Sequence, residues 1–174
     1  MRSLLSTFNL VPNGTVKSVI AVPRDSTSVL IEYTKPVEST INGQLIGYDI
    51  NYALNYPNLN WKSIRVSPTT QAFILKGTLI LTAQNGSSHS PSCLDLMTWE
   101  SYLISVSVVN NVGIGPASEV VKVRTLEGIP SRAPTVLRCE PLNSTALTIQ
   151  WQGPASSYIN GILNAFRVSR QHLL

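Results

Sequence analysis

Two histidines, two cysteines and three Asn-x-Ser/Thr sequons are the side chains from which this chain would have to build any chemistry. His89 and Cys93 stand four residues apart. That pairing can activate a thiolate, but only if a third group orients the imidazole. The neighbours, Asn85-Gly86-Ser87-Ser88 and Ser90, are small and polar and offer no such group. His172 lies far along the chain, so no metal-ligand spacing of His and Cys exists. Asp95, Glu100 and Glu119 are too separated to form a paired acid and base. Asn110-x-x-Gly113-x-Gly115 is not a dinucleotide loop, because a strand rather than a helix is expected after it. No catalytic residue, no cofactor, no metal and no small-molecule substrate are therefore expected. The 13 basic and 9 acidic residues give +4 and are scattered. With no basic stripe interleaved with aromatics, no nucleic-acid partner is expected either. What remains is modification. Asn13-Gly14-Thr15, Asn85-Gly86-Ser87 and Asn143-Ser144-Thr145 are glycosylation acceptors if the chain is secreted.

These residues hang on a duplicated scaffold. Residues 27–52, TSVLIEYTKPVESTINGQLIGYDINY, recur without a gap at 145–170, TALTIQWQGPASSYINGILNAFRVSR, an offset of 118. In the first copy Val29, Ile31 and Tyr33 alternate with Leu30, Glu32 and Thr34; in the second, Leu147, Ile149 and Trp151 alternate with Thr148, Gln150 and Gln152. A two-residue period marks a half-buried strand. Pro36 and Pro154 end the strands, since proline cannot donate to a ladder. Asn42-Gly43 and Asn160-Gly161 are turn dipeptides that tolerate positive φ. A second strand follows each turn, through Tyr48, Ile50 and Tyr52 and through Phe166 and Val168.

Further strands are expected at Val16–Val22, Trp61–Val66, Phe73–Leu75, Tyr102–Val108 and Glu119–Thr125. Seven short alternating strands with turns between them predict an all-β, immunoglobulin-like sandwich. The domain reading is an irregular leader at 1–14 and a complete domain at 15–126 with an insertion at 78–93. A proline-containing spacer at 127–134 then leads to the first three strands of a second domain at 135–174. The insertion reads as a tolerated surface loop. The leader has no cleavage site, so the chain is expected to be an internal piece of something longer. No run approaches the length of a membrane span. Cys93 and Cys139 fall in different units and are not expected to bridge; Cys139 alternates with Leu137 and is expected in the core.

At this point the residues match a family. Tyr33 or Trp151, Pro36 or Pro154, the Asn-Gly turn and Tyr48 or Phe166 resemble strands B and C of a fibronectin type III domain. Leu96-x-x-Trp99-x-x-Tyr102 resembles its E–F corner, and Asn110-x-x-Gly113-x-Gly115-Pro116-x-Ser118 its F–G loop. Together they cover nearly all of residues 15–174. The array is most similar to tandem type III repeats of Sidekick-type neural cell-adhesion proteins; receptor tyrosine phosphatases and Dscam-like proteins carry similar arrays. Four departures stand out. Tyr33 replaces the usual strand-B tryptophan, Thr98 and Glu100 stand where the corner has Pro and Thr, the 78–93 insertion has no counterpart, and the second unit stops near strand C.

The resemblance implies a non-catalytic spacer and interaction fragment of a cell-surface adhesion or receptor ectodomain. Its location would be the extracellular side of the plasma membrane, in a parent anchored by a single span outside this stretch. Its partners would be other cell-surface proteins, including homophilic contacts. In that family recognition belongs mainly to immunoglobulin domains, so this fragment would be stalk. Some type III domains bind partners through the F–G loop, here Asn111, Val112, Gly113, Ile114 and Gly115, without an Arg-Gly-Asp. The alternatives are an intracellular scaffold array of the muscle type, which would acquire no glycan, and the ectodomain of a receptor tyrosine phosphatase. The second unit is expected not to fold alone, because Ile149, Trp151, Phe166 and Val168 would face half a core.

Overall fold

The computed structural model describes residues 10–77 and 96–169. The insertion at 78–93, with Asn85, His89 and Cys93, lies outside the described residues, as does His172. The chain forms two compact units, Met1–Leu126 and Glu127–Leu174.

In the first unit β1 (Val19–Asp25), β2 (Ser28–Tyr33) and β5 (Ala72–Lys76) form an antiparallel sheet in the order β1-β2-β5. The second sheet runs β4-β3-β6-β7, with β8 also paired to β6. Its strands are β3 (Leu45–Leu54), β4 (Lys62–Val66), β6 (Ser101–Asn110), β7 (Ile114–Ala117) and β8 (Val121–Arg124). These are the A-B-E and C′-C-F-G sheets of a fibronectin type III sandwich. Alternation decides what fills the space between them. Val29, Ile31 and Leu75 from one sheet and Tyr48, Ile50, Ile104, Val106 and Val108 from the other are essentially inaccessible. Each aliphatic side chain among them contributes about 1.5–3 kcal/mol of burial free energy.

Apart from shifts of one or two residues at strand ends, the structure differs from the sequence reading in two places. β1 starts three residues later than expected, at Val19, and residues 114–117, read as loop, are β7. The expected last strand, Glu119–Thr125, is β8, shortened to Val121–Arg124. Ser118 lies between β7 and β8; its hydroxyl accepts from the Val106 amide (3.0 Å) and its amide donates to the Val106 carbonyl (2.9 Å).

The second unit contains β9 (Thr135–Asn143) and β10 (Ala146–Gln152), paired antiparallel. Its pairing repeats that of β1 and β2 at the offset of 118. Val29↔Pro23, Leu30↔Val22, Ile31↔Ala21 and Glu32↔Ile20 become Leu147↔Pro141, Thr148↔Glu140, Ile149↔Cys139 and Gln150↔Arg138. A 3-10 turn recurs too, at Glu38–Thr40 and Ser156–Tyr158. Two expectations fail here. Residues 162–169 carry no regular strand, so Phe166 and Val168 are not on a ladder. Cys139 is exposed rather than in a core, because the face it shares with Leu137 and Leu147 is open.

Candidate functional site

The loop after β6 is organised by one side chain. Asn110 is 1% exposed. Its Oδ1 accepts from the amides of Val112 (2.9 Å) and Gly113 (3.0 Å), which closes the loop. Its Nδ2 donates to the carbonyls of Leu10 (2.6 Å), Ile41 (2.9 Å) and Asn42 (3.3 Å). One amide thus ties the F–G loop to the β2–β3 connection and to the stretch before β1. A buried polar group is retained only when it is satisfied in this way.

The glycines of the loop answer to the same packing. A Cβ on Gly115 would sit 2.7 Å from the Pro12 Cβ and 2.8 Å from the Pro12 carbonyl oxygen, closer than any side chain tolerates. Pro12 is fully buried against it. Of the five loop residues singled out from sequence, Gly113 and Gly115 therefore serve the packing of residues 10–12, while Val112 and Ile114 are 44% and 55% exposed. The leader's last residues are structured. Asn42, in the left-handed region at φ 54°, donates from Nδ2 to the Val11 carbonyl (2.9 Å), and the Asn13 amide donates to Thr40 (3.0 Å).

The same strap recurs before the second unit. Asn160, at φ 56°, donates to the Ile129 carbonyl (2.8 Å), and the Ser131 amide donates to Tyr158 (2.8 Å). Residues 127–131, read from sequence as part of a spacer, are hydrogen-bonded within the second unit. The Arg132 guanidinium covers the Tyr158 ring at 3.9 Å.

The E–F corner forms despite its departures. The Met97 amide donates to the Tyr102 hydroxyl (2.6 Å), the hydrogen bond of a tyrosine corner. The Thr125 hydroxyl accepts from the Glu100 amide (3.0 Å) and donates to the Met97 carbonyl (2.8 Å). Trp99 occupies the left-handed region at φ 59°, where a bulky side chain is strained by about 1–3 kcal/mol. Its ring is covered by Arg124 at 5.0 Å.

Beside the corner lies an open groove lined by Tyr52, Tyr56, Asn58, Lys62, Met97 and Tyr102. The Tyr56 hydroxyl donates to Glu100 Oε1 (3.1 Å), and this hydrogen bond raises its phenol pKa. Among the described residues no three of His, Cys, Asp and Glu converge. The ion pair Arg65–Asp49, bidentate at 2.7 and 2.8 Å, lies on the outward face of the second sheet.

Two sequons fall on the described surface. Asn13 is exposed. Asn143 is exposed at the β9–β10 hairpin, where its Oδ1 accepts from the Thr145 amide (2.9 Å) and hydroxyl (3.0 Å). Asp25 occupies the matching place in the first unit, accepting from the Thr27 amide (2.8 Å) and hydroxyl (3.3 Å). The Ser28 hydroxyl and the Thr27 amide lower its carboxyl pKa.

No family model matches the chain. Protein sidekick of Drosophila melanogaster is 28% identical over 159 residues, 90% of this chain and 6% of that protein. The sidekick homolog of Caenorhabditis elegans is 31% identical over 158 residues, 90% of this chain and 6% of its own length. The cell adhesion molecule Dscam2 of Drosophila melanogaster is 30% identical over 90% of this chain and 7% of that protein. The chain thus spans less than a tenth of the curated relatives it matches. The third fibronectin III domain of human KIAA0343 protein superposes with a TM-score of 0.57 at 20% identity, covering 72% of this chain and 91% of that one. That likeness shows the fold. The chain has the fibronectin type III fold and resembles Sidekick and Dscam proteins over nine-tenths of its length.

Proposed function

We propose that this chain is a non-catalytic part of a cell-surface adhesion ectodomain, in which type III units hold neighbouring domains in place and offer surfaces to other cell-surface proteins, a second copy among them. The observation that carries the reading is the similarity to Sidekick and Dscam proteins across nine-tenths of the chain. The parent would be anchored by a span outside this stretch, with the chain on the extracellular side. The local chemistry supports it. Asn13 and Asn143 stand in solvent, each with its Thr two residues on, as a glycan acceptor must. Asn111, Val112 and Ile114 are the exposed side chains of the F–G loop, held out by the Asn110 clasp.

The test is to express the chain behind a secretory leader in animal cells and map glycans by mass spectrometry with and without glycosidase. Occupancy at Asn143, lost in Asn143→Gln, is expected. A well-secreted chain bare at both Asn13 and Asn143 would overturn the extracellular assignment.

A further inference from the structure

The outward face of the β1-β2-β5 sheet is apolar where the fold has no need of it. Val19 and Ala21 of β1, Val29 and Ile31 of β2, and Phe73 and Leu75 of β5 pack on the core. The alternate residues therefore point away from it. Val22, Leu30 and Ile74 lie directly across from one another in the ladder, a row of branched apolar side chains spanning all three strands. Ile20 stands in the next row, opposite Glu32, which pairs with Ala72. Ile20 is 54% and Val22 46% exposed.

The second unit supplies an internal control. In the same register its outward positions are Arg138, Glu140, Thr148 and Gln150 in place of Ile20, Val22, Leu30 and Glu32. Arg138 and Glu140 there form an ion pair. The other outward face of the first unit is mixed: Asp49 pairs with Arg65 and Asn51 bonds to Ser107 (3.2 Å), beside Leu103, Val109 and Ile114. An apolar row at positions that are charged or polar in the second unit marks an interaction site.

Charge identifies the occupant. On one side of the row stands Glu32; on the other, Lys76 opposite Ser28, with Arg24 exposed in the adjoining bulge. Asp25 stands at the same end as an anion that accepts from Thr27 and Ser28, and Arg24 and Lys76 together leave that end net basic. Turning a second copy by a two-fold axis along the Val22–Leu30–Ile74 row lays row on row. The same rotation carries each Glu32 over the Lys76 end of the other copy. The face is complementary to itself, as an isologous interface requires. We propose that this face is a homophilic docking surface, pairing two copies of the chain sheet to sheet. This rests on the adhesion reading for its partner and adds the face that partner meets; that reading is tested separately, by secretion and glycan occupancy.

Sedimentation equilibrium of the full 174-residue chain tests it, with thermal melts as the folding control. A reversible dimer that weakens with added salt is expected. Replacing Ile20→Arg, Val22→Glu and Leu30→Thr, the side chains that the second unit carries in the same register, should raise the dissociation constant by about tenfold or more without lowering Tm. Glu32→Lys alone should weaken association, and mixing it with a Lys76→Glu chain should restore it as a heterodimer. This pair keeps the test open if the triple variant fails to fold. A chain monomeric at about 1 mM overturns the proposal. So does a dimer indifferent to these substitutions, which would place the contact elsewhere.

Discussion

The two copies of the duplicated stretch share their local structure and differ in burial. The β-pairing register, the 3-10 turn, the left-handed asparagine and its bond to the preceding strap all recur at the offset of 118. So does an edge-on aromatic pair: Tyr33–Tyr48 at 4.9 Å and Trp151–Phe166 at 5.6 Å. Yet Tyr33 and Tyr48 are 3% and 0% exposed, whereas Trp151 and Phe166 are 38% and 39%. Val29 is fully buried and its counterpart Leu147 is 66% exposed. Turn chemistry and strand pairing are thus local properties. A core needs the second sheet.

The largest expected effect breaks the comparison outright. Backbone amides of 29–33 should exchange at least ~10³-fold more slowly than those of 147–151, because the first group opens only with global unfolding while an isolated two-stranded ribbon is marginal. Native-state hydrogen exchange on the whole chain measures both; equal protection would refute the contrast drawn here.

Next comes the clasp that the first unit has. Asn110→Ala removes five hydrogen bonds and, at about 1–3 kcal/mol for each buried group left unsatisfied, should destabilise that unit by about 3 kcal/mol or more. Its melting temperature should fall by more than ~10 °C. A shift of roughly 2 °C would mean that the clasp is ornamental.

The aromatic pair gives a smaller effect of opposite sign. The Tyr33 and Tyr48 hydroxyls are buried and have no hydrogen-bond partner. Tyr33→Phe or Tyr48→Phe should therefore be neutral to about 1 kcal/mol stabilising. Burial raises both phenol pKa values, Tyr33 further through the neighbouring Tyr48. The folded state thus holds the neutral phenols more tightly than the unfolded chain. That contribution is present in full below pH ~10 and is lost as pH rises past it. Denaturant melts between neutral and alkaline pH should show the Phe variants losing less stability on the alkaline limb; superimposable profiles would contradict the burial argument.

A comparably small effect sharpens the likeness. Asp25→Asn turns Asp25-Ser26-Thr27 into the sequon of the other hairpin. The amide oxygen can accept the same Thr27 bonds, but the amide nitrogen cannot accept from the Ser28 hydroxyl, so a loss of about 0.5–1 kcal/mol is expected. The secreted variant should gain a glycan at position 25, read as one added glycosidase-sensitive step.

Much of this was open to reading in the chain. The alternation of Val29, Ile31 and Tyr33, the Asn-Gly turns and the spacing of Leu96, Trp99 and Tyr102 point to the sandwich and its corner. The clasp was only half visible: the Asn110-x-x-Gly113-x-Gly115 pattern marks a loop, but nothing in it says that Nδ2 reaches carbonyls 68 to 100 residues away. The strap at 127–131 looks like a spacer because glycine and proline look alike in linkers and in docked strands. The outward apolar row had all its residues in view, yet Ile74 joins Val22 and Leu30 only through β5, whose pairing is long-range.

Composition, a two-residue period and an ungapped repeat determined that the chain is all-β and built of a repeated unit, and the resemblance of its motifs pointed to type III domains. These are properties of neighbours along the backbone. The tertiary structure alone decided that Tyr33 is interior while Trp151 is half open, that Cys139 faces solvent, and that Asn110 holds three segments together. Burial and hydrogen-bond partners belong to pairs of segments distant in sequence, and each depends on a second surface being present to close over the first.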